Sequence, residues 1–256
     1  AEDAQLPVET RPGVTAAPPQ DPALQDAHLV DLKRRHRKEA LVALHERARH
    51  LPRLKATAIV HAGDPDAGLN PLEEQLGLQL RGALGDVVIG TAPVTGRPLA
   101  SHGSDFGTAV HEVMERITSP DDIADVVPTI AGLNGLNERA TADLAAAATS
   151  LAETAEVRAA LAAGAVREVP VIGMVEQTAV EGVIDLLHRD PDTGGWTIVD
   201  YKTDASVTAD TVSSYFAQLQ LYARLLENTV HTPVTRLVLL FVRDGEVVTR
   251  VHQLAQ

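Results

Sequence analysis

The chain has no cysteine in 256 residues. Disulfides are excluded, and so is any metal site built on thiolates. Aromatic residues make up only 3%, so the core has to be built from Val, Leu, Ile and Ala. Hydrophobic residues reach 45%, enough for one good-sized domain with appendages. No run approaches the ~18 consecutive apolar residues of a membrane span. No basic segment followed by an apolar stretch opens the chain, so no signal peptide is expected. The first residue is Ala rather than Met, which suggests a fragment of a longer protein. A Gly-x-x-x-x-Gly-Lys-Ser/Thr loop is also missing, so this chain carries no nucleotide-driven motor of its own.

Positive charge is scarce. Lys and Arg number 22 against 35 Asp and Glu, a net charge of −13. Phosphate contacts favour a basic surface, so strong independent binding to nucleic acid is not expected. The balance is uneven, however. His28 to Lys55 holds nine Lys or Arg and three Asp or Glu. That stretch suits a phosphate-contacting patch or a seat for an acidic partner, or simply a solvated helix face.

Five prolines with few large apolar residues mark positions 1 to 24 as a linker or irregular surface segment. Asp26 to Leu51 has helical periodicity, and Pro52 stops it. These residues, 1–53, form the expected linker and basic helix, and 54–256 the main domain. Pro71 to Leu80 reads as a short helix and Asp86 to Ile89 as a short strand within a Gly- and Pro-rich insertion. Ser104 is the expected cap of a helix from Asp105 to Ile117, with Phe106, Val110, Val113, Met114 and Ile117 as its apolar stripe. His111 falls at the edge of that stripe. Ser119-Pro120-Asp121-Asp122 starts another helix. The Ala-rich stretch from Leu136 to Ala163 reads as one long helix ended by Gly164. Val166 to Ile172, Thr178 to His188 and Trp196 to Thr203 read as strands. Thr211 to Glu227 reads as a helix. Val234 to Val242 and Val247 to Leu254 read as a closing hairpin around Arg243-Asp244-Gly245-Glu246.

The chemistry concentrates between Glu181 and Tyr222. Side chains alternate along a strand, so Asp200 and Lys202 share one face and Tyr201 takes the other. Asp185 ends the apolar run AVEGVID. The turn-rich Asp190-Pro191-Asp192-Thr193-Gly194-Gly195 would fold it back beside Asp200. Two carboxylates so placed repel unless a cation lies between them. Hard oxygen ligands suit Mg²⁺, with Mn²⁺ as a substitute. Such an ion polarises a phosphate and lowers the pKa of a coordinated water. Lys202 would position that water or neutralise charge developing on the phosphate. Taken singly, each of these residues fits an ordinary strand-end or edge position.

The motifs EGVIDLL, IVDYKTD and QLQLY resemble the successive motifs of the RecB-type nuclease domain of the PD-(D/E)xK superfamily. The upstream GTAVHEVME resembles that family's Gly-x-x-x-His helix. With no cysteine, the chain is similar to the RecB or AddA branch rather than to the AddB-like relatives that hold an iron–sulfur cluster. The resemblance implies an α/β, restriction-endonuclease-like fold with a central mixed sheet flanked by helices. It implies that Asp185, Asp200 and Lys202 are catalytic. His111, Asp185, Asp200 and the Tyr201 carbonyl would hold metal, Gln218 and Tyr222 would contact substrate, and Glu168 would be an accessory group. The function implied is Mg²⁺-dependent, exodeoxyribonuclease V-like hydrolysis of DNA in the cytoplasm, during double-strand break processing and recombinational repair. An upstream helicase motor and a partner subunit belong to the same implication. The rival expectation is a non-catalytic module that guides DNA or holds subunits together.

Overall fold

A computed structural model describes residues 53–62, 64, 68, 69, 71, 74, 75, 77–79, 99, 103–175, 178–204, 207–244 and 246–254. The linker and basic helix expected over 1–53 lie outside these residues apart from Arg53, as does the strand expected over Asp86 to Ile89. The described residues of the short helix expected at Pro71 to Leu80 are helical.

In chain order the elements are β1 (Arg53–Lys55), a 3₁₀ turn (Ala56–His61), α1 (Ser104–Arg116), α2 (Ile123–Leu133), α3 (Glu138–Glu153) and α4 (Ala155–Ala162). Then follow β2 (Val166–Val175), β3 (Thr178–Arg189), β4 (Trp196–Lys202), α5 (Ala209–Val230), β5 (Val234–Arg243) and β6 (Glu246–Gln253). The strands form one mixed sheet in the order β1-β3-β4-β5-β6, with β2 paired to β3. The fold is therefore α/β with a central mixed sheet flanked by helices, as expected.

Both faces of the sheet are covered, and the strand alternation divides the core accordingly. Ile198, Leu237, Leu239 and Phe241 pack with α5 on one face. Val199, Tyr201, Val238, Leu240 and Val242 pack with α1, α2 and α3 on the other. Helix α5 joins the parallel neighbours β4 and β5, the crossover that parallel strands need. The Thr208 side chain caps α5 by accepting from Thr211 N–H, and His231 ends it in the left-handed region at φ 53°.

Two expectations are corrected locally. Ser104 is the first residue of α1 rather than its cap. Gly103 takes the cap position at φ 80°, a conformation in which a Cβ is costly. The Ala-rich stretch is two helices, not one. Thr154 has ψ 147°, ends α3, and caps α4 by accepting from Val157 N–H. Neither Gly nor Pro marks this break, only a Thr followed by Glu156 in the next first turn. At Ser119 the expected cap is present, reinforced by Asp122 accepting from the Ser119 N–H.

The register of β3 explains where the sheet opens. One edge of β3 pairs with β2 from Leu187 down to Thr178. Its other edge is shared: β1 runs along Ala179 to Glu181, and β4 runs along Leu186 to Arg189. Residues 182–185 pair with neither β1 nor β4. Tyr222 fills part of this gap, where its hydroxyl accepts the Val183 N–H and the Gln218 amide N–H at 2.9 Å. Gly182 makes the fit possible, because a Cβ there would lie 2.3 Å from the Tyr222 ring. Tyr222 is 2% exposed, and its hydroxyl is held by two hydrogen bonds. Gly182→Ala should therefore cost about 1–3 kcal/mol through overpacking. Urea denaturation of the purified protein measures this, and an unchanged midpoint would contradict the fit.

Candidate active site

The gap in the β3 edge is the floor of a cleft of about 640 Å³. Strand alternation puts Asp200 and Lys202 into this cleft from β4 and turns Tyr201 into the opposite core. Lys202 Nζ lies 2.8 Å from Asp200 Oδ2. Asp185 enters from β3. The next step of the β3–β4 register would pair it with Asp200, but the ladder stops at Leu186 and Val199. Instead the Asp185 carboxylate accepts the Tyr201 N–H at 2.8 Å. One face of the hairpin thus trades a backbone bond for a side-chain one and keeps the two carboxylates together.

Helix α1 crosses the other side of this point. His111 Nδ1 lies 3.3 Å from Asp185 Oδ2. The imidazole meets the Tyr201 ring edge-on, with centroids 5.9 Å apart. Glu168 arrives from β2 between two regular pairs, Arg167 with Leu186 and Val169 with Ile184. It sits at φ 46°, a left-handed conformation unusual for a side-chain-bearing residue. Ligand atoms of His111, Glu168 and Asp185 all lie within 4.8 Å of one another. Asp200 stands outside that trio, held by Lys202. Backbone strain of this kind persists where the surroundings over-determine it, commonly at functional sites.

The charges are settled by burial and by each other. Burial opposes a charged His111, but the Asp185 carboxylate beside it outweighs this and raises the imidazole to about 9. Burial also acts first on Asp185, yet His111, Lys202 and the Tyr201 N–H hold it below the usual carboxylate range. Asp200 is pushed up to about 6, by burial and by Asp185 against the pull of Lys202. Glu168 is raised by burial and by the same Asp185 charge. Burial disfavours the Lys202 ammonium, but Asp200 and Asp185 hold it in the charged form. One imidazole and clustered carboxylates, two of them pushed toward protonation by burial and by the Asp185 charge, form a donor set that fits a divalent cation.

Gln218 and Tyr222 lie one turn apart on α5 and both line the cleft. They are almost fully buried and bond to each other. The amide oxygen of Gln218 has no hydrogen-bond partner among the described residues. Lys55, Thr57 and Glu181 also line the cleft, and no sequence motif assigns them a role. Only the parallel pairing of β1 with β3 brings Lys55 and Thr57 here, and short local patterns do not encode such a pairing.

Comparison with known proteins gives the family of the chain. The profile described as "PD-(D/E)XK nuclease superfamily" matches residues 91–256. Two curated relatives, from Lacticaseibacillus casei (strain BL23) and Lacticaseibacillus paracasei (strain ATCC 334), are ATP-dependent helicase/nuclease subunits. Each is 40% identical over 74 residues, covering 28% of this chain and 6% of the relative. This chain thus corresponds to a small part of those proteins. A solved structure titled "Crystal structure of SSO0001" covers 59% of this chain and 77% of its own, at 13% identity and a TM-score of 0.33.

The ion pair at His111 gives a titration to measure in the metal-free protein. Its raised pKa contributes stability that is fully present below the unfolded imidazole value of about 6.5. That contribution is lost as pH rises through about 9. NMR of the His111 ring should show a midpoint near 9. Asp185→Asn should bring it to or below the ordinary value, because burial alone lowers it. A wild-type midpoint near 6.5 would contradict the pairing.

Proposed function

Because the chain belongs to the PD-(D/E)XK nuclease superfamily, we propose that it hydrolyses DNA phosphodiesters with a divalent cation, Mg²⁺ or Mn²⁺ in its place. The observation that carries this reading is the convergence of His111, Glu168 and Asp185 within 4.8 Å, with His111 and Asp185 lining the same cleft as the Asp200–Lys202 pair. A cation bound there would supply Lewis-acid polarisation of the scissile phosphate.

The residues have separable tasks. His111, Asp185 and Asp200 hold the cation. The Tyr201 carbonyl is a further ligand in this reading, and Glu168 supports the set from β2. The Tyr201 N–H fixes the Asp185 carboxylate, so the ligand does not have to be ordered on binding. Lys202 keeps its charge inside the cleft and faces the reacting phosphate. There it stabilises the negative charge that builds on the phosphate oxygens as the P–O bond breaks. Gln218 and Tyr222 hold the cleft wall and face the substrate.

The likeness to ATP-dependent helicase/nucleases supports a narrower proposal. The chain would be the nuclease part of an exodeoxyribonuclease V-like helicase–nuclease that trims broken DNA ends for recombinational repair. It would receive DNA from a motor domain of the same protein and work beside a partner subunit. Its acidic surface agrees with delivery of DNA by neighbours rather than independent capture. Among the described residues no helix is long and apolar enough to cross a membrane.

Two outcomes test the reading. Linear single-stranded DNA at low salt should be cut with Mg²⁺ or Mn²⁺ and not with EDTA. Asp200→Ala should lower the rate by about a hundredfold or more, the scale of losing a transition-state electrostatic group. Metal-dependent cutting that survives Asp200→Ala would place the chemistry elsewhere. Calorimetry gives the second outcome. Mn²⁺ should bind the wild type and release a proton from His111 at pH ~7.5, where metal and proton compete for the same nitrogen. Its affinity should rise with pH up to about 9, and Asp185→Asn should bind at least about tenfold more weakly.

A further inference from the structure

Lys202 has a second contact in addition to Asp200. Its ammonium lies 4.4 Å from the centroid of the Tyr215 ring, well inside the range of a cation–π interaction. Tyr215 stands on α5 three residues before Gln218 and seven before Tyr222, so all three occupy one stripe of the helix. Its ring is held from several sides. The Tyr215 hydroxyl donates to Asp204 Oδ1 at 2.6 Å. Phe241 of β5 packs against it at 6.2 Å between centroids. Asp204, in the loop that leaves β4, is itself fixed through its carbonyl, which accepts from Arg243 Nη1 at 2.6 Å. Arg243 is 2% exposed. A buried arginine is retained where its hydrogen bonds are satisfied, and here one of them serves the loop two residues beyond Lys202.

We propose that Tyr215, clamped by Asp204 and Arg243, is the positioning residue for Lys202. This rests on the nuclease reading above and deepens it. In the structure Lys202 shares its charge between Asp200 and the Tyr215 face. If Asp200 turns its carboxylate to a divalent cation, Lys202 loses much of that partner and keeps the ring. The ring is uncharged, so it holds the ammonium without competing for metal and without neutralising it toward the phosphate. The Asp204 acceptor at the phenol hydroxyl restrains the ring from swinging about the Cα–Cβ bond. Lys202 then points into the cleft at the cost of little motion, which is what a group acting on a transition state requires. A plain structural role for Tyr215 would need no ammonium above its ring.

The test separates the ring from the hydroxyl and the seat from the chemistry. Lys202 side-chain resonances are measured in the metal-free protein, alongside Mn²⁺-dependent cleavage of linear single-stranded DNA. The proteins are wild type, Tyr215→Phe, Tyr215→Leu and Asp204→Asn. In the wild type the Lys202 ε-methylene protons should show an upfield ring-current shift. Tyr215→Phe keeps the ring but loses the Asp204 hydrogen bond, so it should reduce that shift in part and lose no more than about twofold in kcat. Tyr215→Leu should lose the shift, and kcat should fall about tenfold, the scale of one partly buried cation–π contact, with KM for DNA little changed. Asp204→Asn keeps the ring, so it should give an intermediate shift and serves if Tyr215→Leu fails to fold. Lys202 resonances unmoved in Tyr215→Leu or Asp204→Asn would overturn the proposal. So would equal losses of kcat in Tyr215→Phe and Tyr215→Leu. A wild type that shows the ring-current shift yet cuts no DNA with any metal would support the seat and overturn the nuclease reading instead.

Discussion

Between Glu181 and Leu186 one edge of β3 lies beside neither β1 nor β4. Unpaired backbone groups inside a protein cost free energy comparable to a lost hydrogen bond, so each has to find a partner. The partners found here are side chains that line the cleft. Tyr222 takes the Val183 N–H, and Asp185 takes the Tyr201 N–H across the opening. The cleft opens at this interruption, and Gly182, Val183 and Asp185 of the unpaired stretch line it. β1 covers the lower half of the edge and β4 the upper half, so the opening has a fixed length and does not slide.

Into that opening the chain places Asp185 and Asp200 together with His111 and Lys202, and Glu168 stands close to His111 and Asp185. In a low-dielectric setting such groups compete for charge. The upward shifts of Asp200 and His111 express that competition in opposite senses: one carboxylate resists ionising while one imidazole resists losing its proton. The arrangement is costly for the metal-free fold and favourable for binding a divalent cation, which removes the repulsion. Stability has to come from elsewhere. It comes from two apolar layers, one on each face of the sheet, built largely from aliphatic residues and alanine. The bidentate ion pair of Arg236 with Glu156, at 2.6 and 2.7 Å, ties α4 to β5.

Much of this was legible in the sequence where the physics is local. Period-two alternation set Asp200 and Lys202 on one face and Tyr201 on the other. The Asp190 to Gly195 turn made Asp185 a neighbour of Asp200, and the structure shows why: Asp190 Oδ1 accepts from Asp192 and Thr193 N–H, and Gly194 adopts φ 68°. Helical spacing put Gln218 and Tyr222 on one face. What was not legible depended on distant pairing or on backbone detail. The parallel contact of β1 with β3 joins segments far apart in the chain and brings Lys55 and Thr57 to the cleft. The left-handed backbone of Glu168 has no sequence signature, since glutamate rarely adopts it. The break at Thr154 interrupts a stretch whose composition favours continuous helix. Tyr215 lies just before the QLQLY motif, and its place under Lys202 depends on how α5 packs against the sheet, which no local pattern encodes.

In the proposed reading the break in the β3 edge is a cation site formed by His111, Asp185 and Asp200. Crystals grown with Mn²⁺ and measured near the manganese absorption edge test it most directly. The account predicts one strong anomalous peak within coordination distance of the Asp185 and Asp200 carboxylates and of the His111 imidazole. Strong manganese peaks only at surface carboxylates, with Lys202 still paired to Asp200 in the cleft, would contradict it.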